Sequence, residues 1–245
     1  MVEHFLEFPD NVFPALGVKR KRFENAPFGV FRPQFAERFG IAAVDDRGNR
    51  NLADAALRAK VKRMIFVSIL TADKTPQIPH LYQKFLTEEY FEKINLPYVS
   101  LRPGAFLDQE LERRKTGFSQ GALGTVVKAD VPLTYILADT VARCAAEALI
   151  VSGIEGERID LGLSEPTTSR DLAHELSRVL QRPIEPQFAE FSTGDADFDA
   201  FIAYMNTGQY VADVEKQKRF FSPVPTLAES VRRWAAENNL LENNQ

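Results

Sequence analysis

Lys84 is the residue of this chain best placed to activate an acid. It stands in PHLYQKFLTEEYFEKI, residues 79–94, with Tyr82 two positions before it and His80 four positions before it. An ammonium beside a phenol lowers the phenol's pKa, so the phenol gives or takes a proton near neutrality. On a helix that partnership needs a spacing of three or four residues, which puts both side chains on one face. Tyr82 fails this test, because two residues turn the helix by about 200° at roughly 100° per residue. His80 meets it. An imidazole is an acid or base of the right strength, and its plainer role is a polar residue in a first helical turn. Lys84 has a plain role too, as a solvated helix lysine.

The segments around this stretch alternate. RMIFVSIL, Arg63 to Leu70, and YVSLRPGAF, Tyr98 to Phe106, are short apolar runs rich in β-branched and aromatic residues. They read as strands buried on both faces, as in parallel sheets. NVFPALGV near the start and ERIDLGL, Glu157 to Leu163, are weaker strand candidates. Helices lie between them. NRNLADAALRAKV places Leu52, Ala56 and Ala59 on one face, and the helix after Pro79 spaces Leu81, Phe85, Leu86 and Ile94 helically. DTVARCAAEALIV begins at Asp139, a cap-forming residue, and TSRD (Thr168 to Asp171) and TLAE (Thr226 to Glu229) are capping-box signatures. Such alternation predicts an α/β fold with a doubly wound parallel sheet. From about Thr167 onward, helices joined by Pro- and Phe-rich connections (QRPIEPQFAEF, FFSPVPT) predict a smaller α-rich C-terminal lobe. The expected division is residues 1–165 and 166–245, the second integrated with the first.

Composition narrows the functional classes. Of 245 residues, 44% are hydrophobic and 26% charged, as in an ordinary folded domain. A net charge of −4 gives no general attraction to nucleic acid or anionic membrane. KRKR, Lys19 to Arg22, reads as a solvated loop. The one cysteine, Cys144, has no disulfide partner, sits among alanines and reads as a small buried apolar residue; no Cys/His cluster offers a metal site. No apolar run approaches the roughly 20 residues a membrane span requires. MVEHFLEFPD lacks the positive start of a signal peptide, so a cytoplasmic location is expected. Gly17 to Gly40 carries Phe23, Phe28, Phe31, Phe35 and Phe39 among basic residues. It reads as a helix or loop packed on the sheet, or as a flap over a small-molecule ligand or a protein partner.

A Rossmann dinucleotide site requires a glycine-rich turn that lets the backbone approach the pyrophosphate at a helix N-terminus. Neither G-x-G-x-x-G nor G-x-x-G-x-x-G occurs. GALG, Gly121 to Gly124, reads as lacking the surrounding strand and helix, and Gly153 in GIEGE reads as a helix C-cap.

Read together, VDDRGNRNLADAALRAKVKRMIFVSI, PHLYQKFLTEEYFEKINLPYVSLRPGAF, YILADTVARCAAEAL and TTSRDLAHELSRVL resemble the atypical short-chain dehydrogenase/reductases, especially the NmrA-like branch. The ordered set spans most of Val44 to Leu180. The resemblance implies a Rossmann-like sheet and NADP or NAD as cofactor. It aligns NVFPALGV with the family's fourth strand, so that the chain is expected to be N-terminally incomplete. Two βαβ steps, on the order of 60 residues at about 30 per unit, are then expected to be missing.

The resemblance also assigns roles. Lys84 matches the lysine that holds the nicotinamide ribose, and His80 stands where active members carry tyrosine. Ser68 matches the serine region beside the nicotinamide, with Thr71 close behind it; Pro103, Gly104 and Phe106 match the loop passing over the nicotinamide. Gly17 matches a strand-end glycine that admits the cofactor's ribose. Each also has a local explanation, as strand terminus or turn. With neither glycine cradle nor tyrosine, the purified chain is expected to bind no NADPH at micromolar concentration and to be a poor dehydrogenase. Two functions follow: an oxidoreductase-related protein of weak or no activity, or a non-catalytic dinucleotide-sensing regulator or assembly subunit.

Overall fold

The computed structural model describes residues 42–241, with side chains from residue 44. A π-helical turn, Ala42–Gly48, runs into α1 (Asn49–Arg58), followed by β1 (Met64–Val67), α2 (Pro79–Lys93), β2 (Tyr98–Pro103) and β3 (Ala105–Phe106). Next come α3 (Leu107–Phe118), β4 (Ala122–Thr125), β5 (Tyr135–Ile136), α4 (Ala138–Ala148) and β6 (Arg158–Leu161). The chain continues through α5 (Ser169–Leu180), β7 (Glu185–Phe188), α6 (Ala196–Met205), α7 (Glu215–Phe220) and α8 (Leu227–Glu237). The main sheet has the order β1-β2-β6 and is parallel throughout, with Met64 opposite Tyr98 and Ser100 opposite Arg158. Every residue of β2 is buried, as a central parallel strand requires.

Local chemistry explains the helix ends. Pro79 occupies the first turn of α2, where its missing N–H costs nothing. Thr168 with Asp171, and Thr226 with Glu229, form the two expected capping boxes. Asp139 does not cap α4. The cap position is Leu137, and Asp139 lies in the first turn, ion-paired with Arg233. The buried faces also differ from the periodicity. In α1 it is Ala53 that is fully buried, while Leu52 is 57% exposed. In α2, Leu81, Thr87, Glu88 and Phe91 face inward and Leu86 lies at the surface. GALG forms most of β4, which pairs in parallel with β7 from the QRPIEPQF connection. Gly153 lies beyond α4's C-cap, Leu149, in a left-handed turn. Cys144 is buried, and desolvation pushes its thiol up to about 11.

A single apolar cluster joins Leu70, Ile78 and Leu81 to Leu172, Leu176, Val231 and Trp234, so the C-terminal helices share a core with the strand–helix unit. A second cluster packs α4 against β2 and β6, and a third packs Ala53, Phe66, Phe91 and Tyr98 between α1, α2 and the sheet.

Polar groups tie α2 to the sheet. Glu88 is fully buried on α2, and its carboxylate accepts from Arg102 at 3.1 and 2.5 Å and from Ser100 at 2.5 Å, both on β2. Arg102 also donates to Asp73 at 2.9 Å, in the turn following β1. Burial works against the guanidinium charge, and the Glu88 carboxylate more than offsets it, holding the Arg102 pKa above its ordinary value. Beyond the end of β2, Gly104 passes under the Thr134 carbonyl. A Cβ on Gly104 would lie 2.3 Å from that oxygen, and one on Gly162 would lie 2.4 Å from the Thr134 methyl.

Two substitutions probe this frame. Glu88→Ala strands the Arg102 guanidinium in the interior and should destabilise the fold by about 3–5 kcal/mol, read as a lower urea midpoint. Gly104→Ala should lower the melting temperature in protein free of any ligand, because Thr134 backbone fills the space. An unchanged melting temperature would show that the glycine serves something other than packing.

Candidate functional site

In open parallel sheets, ligands bind outside the carboxyl ends of the strands. Here those ends are Ser68 after β1, Pro103-Gly104 at β2 and Gly162 after β6. Thr134 packs against both glycines, and the other candidates, Ser68, His80 and Lys84, lie at the end of β1 and on α2. Pro103 is buried, and its carbonyl accepts from Leu70 N–H at 3.0 Å. Gly104 N–H donates to the Leu161 carbonyl at 3.0 Å. Phe106 is half-buried and packs on the second apolar cluster. Each of these three sequence candidates makes contacts within the chain. Gly17 and the aromatic segment 17–40 lie outside the described residues.

Ser68 is different. Its backbone extends the β1 ladder by donating to Leu101 at 2.8 Å, but its hydroxyl is buried with no hydrogen-bond partner. An unpaired buried hydroxyl is costly unless something else takes it up. The neighbouring Thr71 is in the left-handed region, φ 61°, and its hydroxyl donates to the Leu70 carbonyl at 2.7 Å.

Lys84 projects from α2 between the π-helical turn and the sheet. Its ammonium donates to Asp45 at 3.0 Å and lies 5.6 Å from the centre of the Phe66 ring, a cation–π distance. An ammonium has three N–H donors, so the contact with Asp45 leaves two.

His80 faces α6. Its Nδ1 lies 2.8 Å from Oδ2 of Asp197 in the first turn of α6, and its backbone N–H donates to the same oxygen at 3.2 Å. The carboxylate thus caps the start of α2, satisfying one of the N–H groups a helix leaves without an internal partner. The His80 ring stands edge-on to Phe201, with centroids 5.5 Å apart. Tyr82 turns away as its spacing requires, and its ring packs beside Phe85.

The structure therefore brings Lys84 and His80 onto one helix face and gives each a carboxylate partner that the sequence reading did not single out, Asp45 and Asp197. Asp45 was discoverable, because it precedes the GNRNL segment within the region of resemblance. Asp197 had only its place in a helix-start pattern, DADF, to recommend it. The unpartnered Ser68 hydroxyl and the two unspent Lys84 donors fit the hydrogen-bonding needs of a nicotinamide riboside. Among the described residues, no group of three His, Cys, Asp or Glu side chains is arranged to hold a metal ion, and no helix is long and apolar enough to cross a membrane.

Comparison with known proteins bears on the family and the fold. Over 119 residues the chain is 30% identical to the photosystem II assembly factor Ycf39 of Cyanophora paradoxa, covering 49% of this chain and 32% of that protein. It thus spans about a third of the length of that curated relative. It is 24% identical over 207 residues to a (4-alkanoyl-5-oxo-2,5-dihydrofuran-3-yl)methyl phosphate reductase of Streptomyces griseus, covering 78% of this chain and 71% of that enzyme. Its fold is similar to that of Citrobacter triphenylmethane reductase crystallised with NADP(H), with a TM-score of 0.68 at 20% identity, over 91% of this chain and 86% of that one. A family model described as NAD(P)H-binding matches residues 8–150, more than half of the chain. The chain belongs to this NAD(P)H-binding family and has a Rossmann-like fold.

Proposed function

We propose that this protein binds NADP(H) or NAD(H) with its nicotinamide end at the β1–α2 junction, and that it is an oxidoreductase-related protein of weak dehydrogenase activity. Two observations carry the reading: a buried, unpartnered Ser68 hydroxyl just past the end of β1, and a Lys84 ammonium on α2 that keeps unspent donors. Lys84 would hold the ribose and Ser68 the nicotinamide side. When bound, the dinucleotide supplies hydride chemistry. Weakness follows from two residue-level facts: the sequence carries no glycine-rich pyrophosphate motif, and no tyrosine stands four residues before Lys84.

A second reading is supported by the Ycf39 similarity: a dinucleotide-sensing or assembly protein in which the fold is kept and turnover is dispensable. The aromatic segment 17–40 is then the surface proposed for a protein partner or a small ligand. Fold alone does not separate these uses.

Titration calorimetry of the chain with NADPH tests the first reading. Saturable uptake weaker than micromolar is expected. Lys84→Ala should weaken it about tenfold or more, since a hydrogen bond to a charged group contributes roughly 1.5–3 kcal/mol. No uptake at millimolar NADPH would remove the dinucleotide reading, and unchanged affinity in Lys84→Ala would remove Lys84 from the site.

A further inference from the structure

Two segments of this chain are opposite in charge and alike in aromatic content. Residues 185–199 carry five carboxylates, Glu185, Glu190, Asp195, Asp197 and Asp199, with no Lys or Arg among them, and three phenylalanines. Residues 19–40 carry six Lys or Arg side chains against two Glu, and five phenylalanines.

The acidic segment is a shaped face. It runs from β7 through the 189–195 connection into the first turn of α6. Asp199 accepts from the Thr193 N–H at 2.7 Å and from its hydroxyl at 2.8 Å, which folds the connection back onto the helix. Asp195 caps α6, accepting from the N–H groups of Asp197 and Phe198. Hydrogen bonds from Ser192 and Thr193 hold the Asp199 carboxyl below its ordinary range, so it keeps its charge. Among the described residues no Lys or Arg forms an ion pair with any of these five carboxylates, and Asp197 meets His80. Phe188 and Phe198 are 41% and 46% exposed. Exposed rings among carboxylates that no Lys or Arg neutralises suit a basic segment bringing aromatic side chains of its own. Its guanidinium groups pair with carboxylates and stack on rings, and its rings pack edge to face.

The described chain starts close to this face. Asp45 is held at Lys84 of α2, its carboxylate 3.0 Å from the ammonium and its carbonyl accepting from the Thr87 hydroxyl at 2.8 Å. Asp197 is held at His80, four residues earlier on α2 and about 6 Å away along the axis at 1.5 Å per residue. Arg38 precedes Asp45 by seven residues, a reach of up to about 25 Å when extended, so the acidic face lies within range of the basic segment. A short tether holds a segment at an effective concentration on the order of millimolar, far above that of a second copy in dilute solution.

We propose that residues 19–40 of this chain dock on the face formed by the end of β7, the 189–195 connection and the first turn of α6. This interface is independent of dinucleotide binding. A protein partner that recognises segment 17–40 must then compete with the chain's own α6.

Cross-linking of the full chain tests this. Ala26→Cys and Ala196→Cys, the second at an exposed position of α6, are joined with a short bis-maleimide at low ionic strength, and Cys144 is buried. Ile150→Cys replaces Ala196→Cys in the control pair, because Ile150 is 81% exposed and lies between α4 and β6, at the opposite ends of the strands. The test pair should cross-link about tenfold more than the control, as a tethered contact requires. Replacing Lys19, Arg20, Lys21 and Arg22 with Gln should cut that yield several-fold, and so should about 1 M salt, where the screening length falls to about 3 Å. In an equimolar mixture of unlabelled and nitrogen-15 chains, the cross-linked peptides should be all light or all heavy. Mixed peptides overturn docking on the chain's own face and assign it to a second copy. A yield no higher than the control's overturns the proposal and leaves the face to a different basic partner. A yield indifferent to both salt and neutralisation overturns it too, with no variant of the described fold required.

Discussion

The buried contact between Glu88 and Arg102 fixes the helix that carries the candidate site to the strand beneath it. A fully buried carboxylate is tolerable only when its charge is compensated and its lone pairs are occupied. Arg102 supplies the charge and two donors, and Ser100 a third. Because Arg102 also reaches Asp73, the same guanidinium holds the turn by which the chain leaves β1 and approaches α2. The direction in which His80 and Lys84 project is therefore set by an ionic contact one to two turns further along α2. Phe91 adds the apolar counterpart, meeting Phe66 of β1 and Tyr98 of β2 edge-on. Directional polar contacts fix orientation, and the aromatic contacts supply the burial that makes the packing favourable.

Features specified over a few residues were legible in the sequence. Both capping boxes, the proline that opens α2, and strands β1, β2 and β6 depend on residues within a single element. The misreadings arise where a partner element decides. Spacing puts Leu52 on one helical face with Ala56 and Ala59, yet the residues packed on the core are Ala53 and Ala56, while Leu52 is exposed. GALG and QRPIEPQF escaped recognition as strands because each is short and punctuated by glycine or proline. They are strands by virtue of pairing with each other across about sixty residues of chain, as Ala122 opposite Glu185 shows. Local propensity does not record such a pairing.

The candidate site divides in the same way. Spacing alone put Lys84 and His80 on one face and excluded Tyr82. Their partners are 39 and 117 residues away, and each is an aspartate in a stretch with no signature of its own. Gly104 shows a different ambiguity. Its match to a loop over the nicotinamide suggested a ligand contact, but the nearest occupant of its missing side chain is the Thr134 carbonyl. A glycine signals close approach. It does not say whether a ligand or the chain's own backbone does the approaching.

The two carboxylates place different demands on the helix they flank. Asp45 takes up charge from Lys84 without exhausting its donors, so the ammonium is held in place while remaining able to serve a hydroxyl. Asp197 accepts from both the backbone and the ring of a single residue, coupling the N-terminus of α2 to that of α6. Both contacts come from one oxygen atom, so the carboxylate that caps α2 also orients the His80 ring, and Phe201 of the same helix stands edge-on to it.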